Sequence, residues 1–166
     1  IRKAIEETPV VVREAQESMA GGVSLSCMYI TWETYQCGNV LSLIVSCGWG
    51  FDMNTHSVYL YDTATGEQMT TAQLLETLQV EPETFLAAVR QAAAERFDGK
   101  YAGIGGDTDE LVAERRAWTL SDENINLDVM TYADAAGNLY VYLPIGSIAG
   151  AAFYEEPLTL DLGAAG

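Results

Sequence analysis

The chain has 166 residues with 24 acidic and 8 basic side chains, a formal net charge of −16, and 49% of its residues are hydrophobic. The hydrophobic fraction excludes a disordered acidic tail, and the length fits a single domain over residues 1–166. The excess of acid excludes nucleic acid as a partner, because phosphate backbones are bound by clustered Lys and Arg. It favours a basic partner instead.

The first 22 residues predict an N-terminal helical segment, and residues 23–166 predict the α+β core. The helical pattern covers residues 1–19 and ends at Ala20-Gly21-Gly22. No apolar run approaches the roughly 20 residues that span a bilayer, so we expect no membrane insertion of this chain. Because residue 1 is Ile rather than Met, we expect a trimmed piece from which a signal or anchor has been removed.

Two strands follow, Ser24 to Gln36 and Leu41 to Gly50, around a tight turn at Gly38-Asn39. The predicted register gives the three cysteines separate partners: Cys37 opposes Val40, Cys47 opposes Ile30 and Cys27 opposes Gly50. No two cysteines then approach the Cα spacing that a disulfide needs, and we expect no disulfide among them.

The alternation of this hairpin predicts one dry and one mixed face. The predicted core face consists of apolar residues of both strands: Ile30, Trp32, Leu41, Leu43, Val45 and Cys47. The predicted mixed face holds the intervening residues: Thr31, Glu33, Tyr35, Ser42, Ile44 and Ser46.

The middle of the chain predicts one more strand and then helices. In order, we expect a loop over 48–55, a strand from Ser57 to Tyr61 and a turn over 62–66. A capping box at Thr70 and Gln73 predicts a helix from Ala72 to Leu78. Two further helices follow: a longer one from Glu81-Pro82 to Asp98-Gly99, and one that is capped by Asp107 or Thr108 and ends near Trp118. The longer helix has an apolar face: Phe85, Val89, Ala92, Ala93 and Phe97.

The last third of the chain is again β. Strands from Ile125 to Tyr132 and from Leu139 to Leu143 form a second hairpin, which Pro144 closes, and Pro157 to Leu162 forms one more strand. Because hairpins rather than βαβ units join the strands, we predict an α+β fold, an antiparallel sheet with helices packed on one face.

The second hairpin aligns tyrosines. Tyr132, Tyr140 and Tyr142 share one face with Met130, and the other face holds Leu127, Val129, Val141 and Leu143. The tyrosines are either core residues whose hydroxyls reach polar partners, or an exposed patch that binds a protein or a sugar. With Tyr154 they are our candidate binding residues.

Reactive motifs are weak. His56, the only histidine, is expected in an exposed loop with no Ser or Cys elbow nearby, and no metal-ligand spacing is present. The glycine-rich run 103–106 lacks a lysine and precedes acidic residues, which excludes a phosphate site. We therefore predict no catalytic residue, cofactor or metal. A carboxylate pair of Glu33 and Asp52 is the alternative that would give a hydrolase.

Five segments resemble a domain of formerly unknown function from bacterial envelope proteins: Gly38 to Leu43, Val58 to Glu67, Asn126 to Asp134, Gly137 to Ile145 and Gly150 to Tyr154. That domain forms the extracellular half of lysozyme-responsive anti-sigma factors and an accessory part of some peptidoglycan deacetylases. The resemblance extends from about residue 23 to the end of the chain, and its motifs are strand and turn patterns rather than reactive signatures.

The resemblance implies a non-catalytic binding or sensing module of α+β fold, located outside the cell or attached to the envelope. Its expected ligand is a cationic protein such as lysozyme, with which the net charge is compatible, or a cell-wall glycan. Two other hypotheses remain: a carboxylate-dependent hydrolase of cell-wall carbohydrate, and a structural domain that spaces other modules.

Overall fold

A computed structural model describes residues 27–49, 53–104, 106 and 108–163. Two antiparallel sheets and three helices make up this part of the chain, which confirms the α+β class. The helix predicted over residues 1–19 lies outside the described residues.

The first sheet contains strands β1 (Cys27–Cys37), β2 (Val40–Trp49), β3 (Met53–Asp62) and β4 (Gln68–Met69), adjacent in chain order. The turn at Gly38-Asn39 sets the predicted register, and Cys37 faces Val40 while Ile30 faces Cys47. The pairing predicted for Cys27 is wrong: an irregularity between Cys27 and Tyr29 shifts the register, so that Cys27 faces Trp49. Cys37 is a free thiol.

The third strand begins earlier than expected. The sequence predicts a loop up to residue 55, but β3 begins at Met53 and pairs with β2 along its whole length. His56 therefore lies in a strand rather than in a loop, where it faces Ser46.

The helices are α1 (Thr71–Thr77), α2 (Pro82–Lys100) and α3 (Asp109–Thr119). The predicted capping box of α1 is present: the Thr70 hydroxyl accepts from the Gln73 amide, and the Gln73 side chain accepts from the Thr70 amide. In α2, Pro82 occupies the first turn, and the buried residues are Phe85, Ala88, Val89, Ala93 and Phe97. Gly99 does not stop this helix, which continues to Lys100.

The second sheet contains β5 (Met130–Ala133), β6 (Leu139–Gly146) and β7 (Phe153–Thr159) in that order. Tyr132 faces Tyr140 and Met130 faces Tyr142, as predicted. Residues 125–129 form turns rather than strand. Pro144 does not close the hairpin, because β6 continues through it to Gly146.

Different elements pack against the two faces of the second sheet. Helices α2 and α3 pack on β6 and β7, above a row of buried side chains: Leu139, Val141, Leu143 and Ile145. The other face, with the tyrosines of β6, packs against the first sheet. The second sheet is thus the central layer of the described molecule.

The face of the first sheet that enters the core is the one predicted to be mixed. Val40, Ser42, Ile44 and Leu60 are buried between the sheets, whereas Trp32 is 70% exposed on the opposite face. The predicted core face is therefore wrong, and Trp32 is not a core residue. Of the apolar residues predicted there, Leu43 is buried, Leu41, Val45 and Cys47 are half-buried, and Ile30 is exposed. Ser42 fits the core because its hydroxyl donates to the Ala133 carbonyl and accepts from the Ala133 amide.

Among the described residues, no helix is long and apolar enough to cross a membrane.

Candidate functional site

Four tyrosines meet between the two sheets, and we call Tyr35, Tyr132, Tyr140 and Tyr142 the tyrosine cluster. Tyr132 of β5 lies at the centre. Its ring centroid is 5.0 Å from that of Tyr140, 5.7 Å from that of Tyr35 and 6.0 Å from that of Tyr142, and all three pairs are stacked. The alternation of β5 and β6 places three of these rings on one face, and Tyr35 of β1 completes the cluster from the facing sheet.

His56 extends the cluster. Its ring stacks on Tyr142 with the centroids 4.0 Å apart. Its backbone amide donates to Glu155 Oε2 over 2.9 Å, and its Nδ1 lies 3.1 Å from the same oxygen. The prediction of an exposed loop histidine is therefore wrong: the side chain is 11% exposed and is held between a tyrosine ring and a carboxylate.

Carboxylates surround the cluster. The Tyr35 hydroxyl donates to Glu33 over 2.9 Å, and the Tyr140 hydroxyl donates to Asp134 over 3.2 Å. Hydrogen bonds from Asn138 and Ala136 hold the pKa of Asp134 below its ordinary value, so this acceptor is charged at neutral pH.

The environment raises the pKa of all four tyrosines. Burial is the main cause of the raised pKa of Tyr132, Tyr140 and Tyr142. For Tyr35, the hydrogen bond to Glu33 is the main cause, followed by burial. The nearby carboxylates add to these shifts, since a tyrosinate would be repelled by them. The cluster therefore presents neutral rings and hydroxyl donors beside negative charge.

The structure divides the predicted binding residues. Tyr132 is 9% exposed and is a core residue, while Tyr140 and Tyr142 are half-buried at the edge of the same cluster. Tyr154 lies apart: its hydroxyl accepts from the Ala151 amide over 3.4 Å, and Lys100 Nζ lies 5.2 Å from its ring centroid. Three of the four predicted residues are thus together, and one belongs to another part of the surface.

Sequence reasoning missed three members of the site: Tyr35, His56 and Glu155. Tyr35 and Glu33 were both assigned to the mixed face of the first hairpin, and the pattern of that face was the available signal. Nothing in the sequence places Glu155 beside His56, because the two residues are 99 positions apart and meet only when the sheets pack.

The proposed acid pair cannot be completed from the described residues. Glu33 is exposed and accepts a hydrogen bond from Tyr35, and Asp52 lies outside the described residues. Within residues 27–163, leaving out the gaps, no group of three His, Cys, Asp or Glu side chains could hold a metal ion.

No protein-family model matches the chain, and no curated protein matches it. The resemblance to the envelope domain therefore stays a prediction.

Proposed function

We propose that this chain is a non-catalytic binding module of the bacterial cell envelope that recognises a basic protein through the acidic edge of the tyrosine cluster. The observation that supports this most directly is the pairing of half-buried aromatic rings with Glu33, Asp134 and Glu155. Lys and Arg side chains bind to such arrangements because the ring face and the carboxylate both attract a cation.

The distribution of charge supports a cationic partner. No Lys or Arg occurs between residues 14 and 89 or after residue 116. The cations of the described chain are confined to α2 and α3, on the far side of the second sheet from the cluster. The strands that supply the cluster therefore contain no Lys or Arg to neutralise its carboxylates. A basic protein would be steered towards this side of the molecule.

The raised pKa of the tyrosines disfavours a role as a nucleophilic tyrosinate. Hydroxyls with a raised pKa act as hydrogen-bond donors at neutral pH and are poor nucleophiles. Half-buried tyrosines beside a polar rim are typical of binding hot spots.

The test is a calorimetric titration with lysozyme as the cationic probe, carried out at low and at high salt. We expect saturable binding that weakens as salt rises, because exposed charges are screened. Glu33→Gln should weaken binding by about two- to fivefold, as expected for a rim charge worth about 0.5–1 kcal/mol. Glu76→Gln on α1 removes the same charge away from the cluster and is the matched control.

A second variant probes the rings. Tyr142→Leu keeps an apolar side chain but removes the ring face and the hydroxyl, and we expect it to weaken binding more than Glu33→Gln does. Circular dichroism and the thermal midpoint show whether the variant is folded.

Three results would contradict the proposal. Binding to purified cell-wall glycan but not to lysozyme would make the ligand a carbohydrate. Release of soluble fragments from the wall, lost in Glu33→Gln, would favour the hydrolase. Equal effects of Glu33→Gln and Glu76→Gln would show that the cluster is not the contact surface.

A further inference from the structure

Arg115 differs from the other cations of the described residues. Each of the others has a carboxylate partner: Arg90 pairs with Asp122, Arg96 and Lys100 with Glu156, and Arg116 with Asp98. Arg115 has no ion pair with any described residue, and its Nε is buried without a hydrogen-bond partner. A buried donor on a charged group without an acceptor is costly, and a chain of net charge −16 offers many carboxylates that could have served.

Arg115 lines an open cavity of about 300 Å³. Leu111, one turn earlier on α3, lines it as well, and residues 147–152 form the opposite wall. Apart from Ser147 and Arg115, the lining side chains are aliphatic or absent, so Arg115 is the one charged residue among those that line the cavity.

The wall of the cavity is held in place by specific contacts. Gly146 approaches α3 so closely that a Cβ there would lie 2.9 Å from the Arg115 carbonyl oxygen. Thr119 Oγ1 accepts from the Gly146 amide over 2.9 Å and donates to that same Arg115 carbonyl over 2.8 Å. The end of β6 is thereby fixed to the turn of helix on which Arg115 lies.

The loop itself is equally constrained. Ser147 Oγ donates to the Ala149 carbonyl over 2.7 Å and accepts from the Ala149 amide. Gly150 has a φ of +79°, and a Cβ there would lie 2.6 Å from the Tyr154 hydroxyl. Tyr154 thus packs against the loop, and the loop residues that line the cavity have small side chains apart from Ile148.

We propose that this cavity binds a small aliphatic carboxylate, such as the C-terminal carboxyl group of a short peptide that ends in a small residue. The planar guanidinium is suited to a carboxylate, and Arg115, unlike the other described cations, has no carboxylate partner among the described residues. The aliphatic lining accepts a methyl-sized side chain. A monoanion is favoured over phosphate, because one arginine in a strongly acidic protein balances one negative charge. The site is separate from the tyrosine cluster and does not depend on the function proposed above.

N-acetyl-alanine is the probe, and its uncharged amide is the matched control ligand. We expect N-acetyl-alanine to cause saturable amide NMR shifts at millimolar concentration in residues 147–152 and in α3, and the amide to cause none. Arg115→Gln should weaken the binding at least about tenfold, because it removes the charge-assisted contact. Arg116→Gln on the same helix breaks the ion pair with Asp98 and should bind as the wild type does.

Ala151→Leu keeps Arg115 but fills the cavity, and it should also abolish binding, which keeps the proposal testable if Arg115→Gln does not fold. The proposal is overturned if N-acetyl-alanine gives no saturable shifts, if its amide or inorganic phosphate binds equally well, or if a folded Arg115→Gln or Ala151→Leu variant binds like the wild type.

Discussion

The two faces of the first sheet contrast with each other more than their composition indicates. The inner face buries Ser42 completely and Ile44 almost completely, while on the outer face Trp32 is 70% and Ile30 43% exposed. Both faces contain β-branched and aromatic residues, but the outer face has the more apolar composition, so hydrophobicity alone favours burial of the outer face. The difference arises because the inner face meets a second sheet whose tyrosines and backbone groups satisfy its polar members. Complementarity with the partner layer, rather than apolar content, decides which face is buried.

The largest expected effect on stability comes from truncating a buried side chain of the inner face. Ile44→Ala should lower the free energy of unfolding by about 2–4 kcal/mol, because it leaves a cavity between the sheets. Val45→Ala, the next residue on the outer face, should cost less than half as much. Urea unfolding monitored by circular dichroism measures both, and equal losses would contradict the assignment of the faces.

The polar member of the inner face should come next. Ser42→Ala removes the partner of both the amide and the carbonyl of Ala133, and we expect a loss of about 1–3 kcal/mol in the same assay. Ser57→Ala on the exposed outer face is the matched control and should stay within about 0.5 kcal/mol of the wild type. A neutral Ser42→Ala would mean that water replaces the hydroxyl.

In the second sheet, a charged residue allows a similar comparison of a buried with an exposed position. Glu156 faces α2, where Lys100 approaches it to 2.7 Å and Arg96 also binds it. Burial raises the pKa of Glu156, but the two cations outweigh burial and lower the pKa below its ordinary value of 4.5. Glu156→Gln should cost about 1 kcal/mol at pH 7.

The sign of its pH dependence follows from this lowered pKa. The carboxylate stabilises the folded state fully above about pH 4.5, and the stabilisation is lost as the pH falls through the lower pKa of the folded state. The unfolding curves of wild type and Glu156→Gln should therefore converge in acid. Glu123→Gln, at an exposed position, should show no such convergence.

The smallest effect is expected at the outer face itself. Trp32→Ala should change the free energy of unfolding by no more than about 0.5 kcal/mol, because the side chain is 70% exposed. A loss of 2 kcal/mol or more would show that this tryptophan is covered in solution.

Local pattern was sufficient to predict much of the fold. The turn at Gly38-Asn39 and the capping box at Thr70 are chemistry between near neighbours, and both are present. The register of the second hairpin, with Tyr132 opposite Tyr140, was also predictable from its loop. These features depend on residues within a few positions of one another.

The sequence could not reveal how elements that are distant along the chain pack against one another. Alternation shows that Trp32 and Tyr35 lie on opposite faces, but only the position of the second sheet determines which of them is buried. The same holds for the site, where Tyr140 and Tyr142 were predictable as neighbours, while His56 and Glu155 meet through tertiary packing alone.

Strand β1 is the outermost strand of the first sheet as the structure describes it. It is 11 residues long and contains no proline or lysine, and Glu33 is its single charged residue. Natural edge strands are usually protected against intermolecular pairing by charge, proline or short length. Because Glu33 is the one charge on β1, neutralising it should favour pairing between the β1 strands of two molecules in concentrated solution.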